Sequence, residues 1–246
     1  MNLPDRIHRF RKQRKMKRDK PHFWYLPHNK LGWIQNYKVG TNSIKHSLAC
    51  NIMEQRSDVD TCTSLTDEQV AEINKQNSGF HLPGTIRKKW ADAYIFAFVR
   101  NPLDRLYSCY ANKVLDIQGS GELNPFRHFG VSNESSFEDF VKIIIDVPDS
   151  EADRHFRTQK WFLSDDDQLI TNYIGKIENL QEDWQVLVER FSLQPLPHKN
   201  KSSLQKTLYS QFYTPETWNL ALKRYACDIE LFGYEKTLAA DHPSKV

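Results

Sequence analysis

Ala93–Val114, AYIFAFVRNPLDRLYSCYANKV, changes its hydrophobic period half-way along. Tyr94, Ile95, Phe96, Ala97, Phe98 and Val99 form a near-continuous apolar run rich in β-formers, the pattern of a parallel strand covered on both faces. Asn101 is a good N-cap and Pro102 suits the first helical position, where its missing N–H would have had no intrahelical partner. A helix therefore starts at Asn101. Leu103, Leu106, Tyr107, Tyr110 and Val114 then recur at helical spacing as one apolar stripe, and Ser108 falls off it. Arg100 stands where the carboxyl end of the strand meets the positive end of the helix, a position from which a guanidinium grips a phosphate through paired, charge-assisted hydrogen bonds. The same spacing also fits an Arg100 paired with Asp104 and a merely solvated Ser108.

A second strand, loop and helix lie upstream. Gly32 to Val39 (GWIQNYKV) reads as a strand, and Ile44, Leu48 and Ile52 mark a helical apolar face. Between them Lys38, Gly40, Thr41, Asn42 and Ser43 make a short loop suited to an anion. Glycine lets the backbone approach closely, hydroxyls and N–H groups at the helix start point toward the ligand, and Lys38 brings a charge. The pattern is not a Walker A sequence, which disfavours an ordinary ATP or GTP site. Taken alone, YKVGTNS also fits a structural turn with a solvated lysine.

With both units in order, the chain resembles the carbohydrate sulfotransferases that use 3′-phosphoadenosine 5′-phosphosulfate. It is similar to the group of sulfotransferase family 2 that contains the HNK-1 and chondroitin 4-O-sulfotransferases, and more distantly to the heparan sulfate 2-O-sulfotransferases. YKVGTNSIK resembles the family's 5′-phosphosulfate loop and FAFVRNPLDRLYSCYANK its 3′-phosphate motif. DRHFRTQ (Asp153–Gln159), YIGKIENLQEDW (Tyr173–Trp184) and DIELFGY (Asp228–Tyr234) follow in the family's order. Tyr37 replaces the usual proline, Asn101 the usual acidic residue, and Phe156 and Thr158 alter the histidine segment.

The resemblance implies a three-layer α/β/α, P-loop-like sulfotransferase fold with a central parallel sheet. It implies transfer of a sulfuryl group to an acceptor hydroxyl, most readily of a saccharide, with no metal needed. Lys38 becomes the cation for the leaving phosphate, as well as a donor-binding residue with Gly40, Thr41, Asn42 and Ser43. Arg100 and Ser108 would hold the 3′-phosphate, joined by Lys201 and Ser202 from HKNKSS (His198–Ser203), a segment that otherwise reads as a solvated lysine-rich turn. Two histidines compete as the base: His155, oriented by Asp153 and slightly favoured, and His81, placed upstream of the 3′-phosphate motif as in the 2-O-sulfotransferases. Other readings are a nucleotide-dependent phosphotransferase, which would need a magnesium ligand, and a non-catalytic glycan- or nucleic-acid-binding protein.

Composition agrees with one enzyme domain. The 246 residues suffice for a sizeable core, and 39% hydrophobic content with a mean hydropathy of −0.67 excludes an integral membrane protein. A net charge of only +3 argues against a general nucleic-acid-binding surface. Most of the excess sits in Arg6–Lys20, so residues 1–22 read as a basic, flexible arm, 23–236 as the sulfotransferase domain and 237–246 as a tail. No apolar segment of signal or transmembrane length follows the arm. Animal Golgi relatives carry such an anchor, so the expectation is a cytoplasmic, bacterial enzyme or a Golgi enzyme shorn of its anchor. Cys50, Cys62, Cys109 and Cys227 show no metal spacing and read as reduced thiols. Asn51 to Lys89 reads as polar, with a short helix from Thr66 or Asp67 to Ile73 and a substrate loop, SGFHLPG, at Ser78–Gly84. Ser135 with Glu138 reads as a capping box, and Leu169–Ile177 as a strand.

Overall fold

The computed structural model describes residues 20–54, 65–197 and 209–236. In chain order the described elements run β1 (His22–Leu26), β2 (Leu31–Gln35), α1 (Thr41–Glu54), α2 (Asp67–Asn77), β3 (Ser78–Phe80), α3 (Pro83–Lys89) and β4 (Tyr94–Val99). They continue with α4 (Pro102–Lys113), α5 (Phe137–Ile144), β5 (Ser164–Asp165), β6 (Gln168–Leu169), β7 (Tyr173–Lys176), α6 (Leu180–Phe191), α7 (Pro215–Arg224) and α8 (Ala226–Leu231). These fall into two compact units. One is built on residues 20–100 and 161–197, the other on 101–160 and 209–236.

The first unit is organised by a five-stranded sheet in the order β3-β1-β2-β4-β7. β2, β4 and β7 are parallel, whereas β1 pairs antiparallel with both β2 and β3. The sheet is thus mixed, not wholly parallel. The parallel part is the one that alternating strands and helices demand, and the antiparallel edge is a hairpin closed by the tight turn at Pro27–Lys30, where Lys30 N–H donates to Pro27 C=O at 3.1 Å.

Strand alternation sends Trp24, Trp33, Phe96 and Phe98 to one face, where they pack with Leu48, Trp184 and Leu187. Ring centroids at 6.0 Å for Trp24–Trp33 and 6.2 Å for Phe98–Trp184 suit aromatic packing. Phe23, Ile34, Ile95, Ala97 and Val99 on the opposite face are buried too, which explains why β4 reads as continuously apolar.

Sequence expectations are corrected at several places. The strand read from Gly32 to Val39 ends at Gln35, because Asn36 turns the chain. Its side chain accepts from the N–H of Tyr37 at 3.0 Å. Ser78–Gly84 is not a loop: Ser78–Phe80 joins the sheet edge, and Pro83 opens α3. The strand read as Leu169–Ile177 is two pieces. Leu169 pairs back on Ser164 through a turn whose Asp166 and Asp167 have positive φ, and the strand alongside β4 starts only at Tyr173.

The second unit is helical. Leu103, Leu106, Tyr110 and Val114 of α4 pack against Phe137, Phe140, Val141 and Ile144 of α5 and against Trp218, Ala221 and Tyr225. Tyr107, expected on the same stripe, is half-buried and stacks on Phe212 at 4.2 Å. Asn101 caps α4 as anticipated, accepting from the N–H groups of Leu103 and Asp104 at 3.0 and 3.4 Å. The α5 capping box is Ser136 with Asp139, one residue on from the expected Ser135 and Glu138. Ser135 is already engaged, because its hydroxyl accepts from the N–H of Ser132 at 2.9 Å. Among the described residues no helix is long and apolar enough to cross a membrane.

Candidate active site

β2 and β4 are parallel neighbours, so their carboxyl ends open on the same edge of the sheet. Ligands of open α/β sheets bind there. Asn36 to Ser43 leaves β2 at this edge, and Arg100 leaves β4. Arg100 Nη1 donates to the carbonyl of Lys38 at 3.3 Å, tying the two ends together. Lys38 has φ +67°, an unusual conformation for a side-chain-bearing residue.

Gly40 also has φ +67°, and a Cβ there would lie 2.6 Å from Ile177 Cδ1. The positive φ favours glycine, and an added Cβ would push aside the tip of the Ile177 side chain. Gly40→Ala is expected to lower stability by about 1–3 kcal/mol, and denaturant unfolding measures it. Wild-type stability would show that the turn relaxes without strain.

α1 begins at Thr41, so its first N–H groups lack intrahelical partners and face an anion-favouring dipole. Thr41 and Ser43 are half-buried and Asn42 is exposed. Tyr37 packs its ring on Phe162 at 5.7 Å. Sequence reading missed Lys45, half-buried one turn beyond Thr41, with burial pushing its ammonium pKa down. Its i, i+4 spacing from Thr41 was the available signal.

Ser108 lies in the helical unit on α4 and is half-buried, off the apolar stripe. The call on Lys201 and Ser202, and that on Cys62, lie outside the described residues.

The two histidines have different surroundings. His155 lies in the helical unit, and Asp153 Oδ1 accepts from its backbone N–H at 3.0 Å and from Nδ1 at 2.6 Å. That contact sets the tautomer and presents Nε2 as the basic nitrogen. Burial pulls the ring's pKa below its ordinary 6.5, with Asp153 opposing. Between the depressed folded value and the ordinary unfolded value the native state binds fewer protons, so this contribution to stability is complete above 6.5 and is lost as pH falls below it. The stability difference between wild type and His155→Gln is accordingly expected to shrink on acidification through pH 6. A difference that grows instead would mean that the Asp153 charge outweighs burial.

His81, in the sheet unit, follows β3 and sets its ring edge-on to Trp90 at 5.0 Å. Burial pulls its pKa down, and Lys89 and Lys20 add to the effect. Among the described residues no carboxylate orients it.

The sequence matches the sulfotransferase family over residues 21–235, a span that includes both phosphate-type loops and both histidines. The chain belongs to the sulfotransferase family. It is similar to carbohydrate sulfotransferase 12 of Xenopus laevis, with 27% identity over 171 residues, and the aligned part covers 57% of this chain and 40% of that relative's length. No solved structure matches it. This sulfotransferase-family chain has a five-stranded α/β sheet, and a loop leaves the carboxyl end of β2 ahead of α1.

Proposed function

We propose that the protein transfers a sulfuryl group from 3′-phosphoadenosine 5′-phosphosulfate to a hydroxyl, most readily of a saccharide. The observation that carries this is the Arg100–Lys38 hydrogen bond, which couples a guanidinium to a glycine-dependent loop at the carboxyl ends of two adjacent parallel strands.

Lys38, Gly40, Thr41, Asn42 and Ser43 suit the donor's 5′ side, with the turn held by Gly40 at φ +67°. Arg100, Ser108, Lys201 and Ser202 are kept for the 3′-phosphate from the sequence pattern. In transfer, the bond from sulfur to the bridging phosphate oxygen breaks as the acceptor oxygen bonds to sulfur, and the hydroxyl proton passes to a base. Lys38 stabilises the charge left on phosphate, and Lys45 adds a second cation to the same helix start. His155 is favoured as the base because a carboxylate orients it at 2.6 Å. His81 remains the other candidate.

A saccharide acceptor is supported by the likeness to a protein named as a carbohydrate sulfotransferase. It is also supported by Phe80 and Leu82, each 52% exposed on either side of His81, which offer the apolar surface that a sugar ring's C–H face packs against. Residues 23–236 would form the catalytic domain.

Thermal unfolding with 3′-phosphoadenosine 5′-phosphate, ATP or ADP tests the reading. Selective stabilisation by the first supports it, as mass action requires of a native-state ligand. Equal stabilisation by ATP, or no response, removes it.

A further inference from the structure

Residues 151–159 have neither helix nor strand, yet Ala152, Phe156, Arg157, Thr158 and Gln159 are all buried. Buried irregular backbone needs partners for its N–H and C=O groups, and here distant side chains supply several of them. Arg105, 1% exposed, donates from Nη1 to the carbonyl of Arg157 at 2.8 Å and from Nη2 to that of Arg154 at 3.0 Å. Tyr225 donates its hydroxyl to the carbonyl of Phe156 at 2.6 Å. Asp228, fully buried, accepts from the N–H groups of Gln159 and Lys160 at 2.7 and 2.8 Å. Asp149 accepts from the N–H of Thr158 at 3.2 Å and is itself held by Arg224 at 2.7 Å.

The carbonyls immediately before and after His155 are therefore both clamped, by residues of α4 and of the α7–α8 junction. Burying an arginine and an aspartate is expensive, and a well-packed apolar pair usually serves stability as well or better. What the charged groups add is geometry. Arginine's planar fork reaches two carbonyls at a fixed separation, which no apolar side chain reproduces.

We propose that Arg105, with Tyr225 and Asp228, is a positioning frame that holds the 154–160 backbone so that His155 keeps its Asp153-oriented imidazole in a single place. This rests on the reading of His155 as the base. Local bonds turn the segment, with the Asp153 carbonyl accepting from the N–H groups of Phe156 and Arg157, whereas the frame residues lie 49 to 69 residues away in sequence.

The test is an NMR pH titration of the His155 ring in the full chain, comparing wild type with Arg105→Lys and with the milder Tyr225→Phe. Trp218→Phe serves as control. It trims the same core and touches none of these carbonyls. The groups that bear on the ring are Asp153, Lys113 and Arg154. Loosening the frame admits water, so both frame variants are expected to move the midpoint toward the ordinary value by about half a pH unit or more, with the control unmoved. An unchanged midpoint in both frame variants overturns the proposal, as does an equal movement in Trp218→Phe.

Binding of 3′-phosphoadenosine 5′-phosphate, followed calorimetrically, is expected to stay within about twofold of wild type in the frame variants. A tenfold loss would mean a general disturbance and would also overturn the positioning role. Failure of wild type to bind that nucleotide removes the sulfotransferase reading, and the titration still decides the frame.

Discussion

Arg100→Ala is expected to weaken binding of 3′-phosphoadenosine 5′-phosphate by roughly ten- to a hundredfold, the 1.5–3 kcal/mol typical of a hydrogen bond to a charged group. Two losses combine. The guanidinium no longer meets the phosphate, and the carbonyl of Lys38 loses its 3.3 Å donor, which frees a loop that already holds two positive-φ residues. Arg100→Lys separates them, because it keeps the charge and loses the second planar donor. It is expected to fall between alanine and wild type. Isothermal titration calorimetry measures all three, and an alanine variant that binds as tightly as wild type removes Arg100 from the donor site.

Asp228→Ala is expected to cost about 3–5 kcal/mol of stability, because it leaves two backbone N–H groups without their acceptor and removes the negative charge that offsets the buried Arg105. That is a large share of the roughly 5–15 kcal/mol by which a domain is stable. Asp228→Asn isolates the charge.

Burial pushes the Asp228 carboxyl up from 3.8 to about 6, against the two N–H donors and Arg105, which favour the charged form. An acid whose folded value is raised binds more protons in the native state between about 3.8 and about 6. Its contribution to stability therefore falls as pH rises through that window and is lowest above it. The stability of wild type relative to Asp228→Asn is expected to decline between pH 4 and pH 7 by on the order of 1–3 kcal/mol. Denaturant unfolding at both pH values shows it. A relative stability that rises with pH would mean that Arg105 and the amides, rather than burial, govern this carboxylate.

These effects differ in how far the sequence announces them. The β4-to-α4 junction is written in adjacent residues. An apolar run, an N-cap asparagine and a proline at the first helical position act within a few residues of one another, and the structure uses each of them there. Thr66 with Gln69 caps α2 by the same local logic.

β1 and β3 are different. HFWYL and SGF carry little that distinguishes an antiparallel edge from a loop, because their hydrogen-bond partners lie in other strands. The continuous strand read through Leu169 failed for a related reason: the turn at Asp166 and Asp167 draws Leu169 onto Ser164.

Arg105 marks the boundary most clearly. It stands three residues after Pro102 and four before Cys109, both buried, on the inner face of α4, although the apolar stripe read from the sequence did not include it. What the spacing withheld was the reason a charge is tolerated there. Its acceptors are carbonyls of Arg154 and Arg157, and the segment's other anchors are Tyr225 and Asp228. Local pattern determined the β4-to-α4 junction and the cap of α2, because capping, periodicity and turn preference are forces between near neighbours. Only tertiary structure decided which buried side chains hold the His155 segment, because an irregular backbone takes its hydrogen-bond partners from wherever the fold brings them.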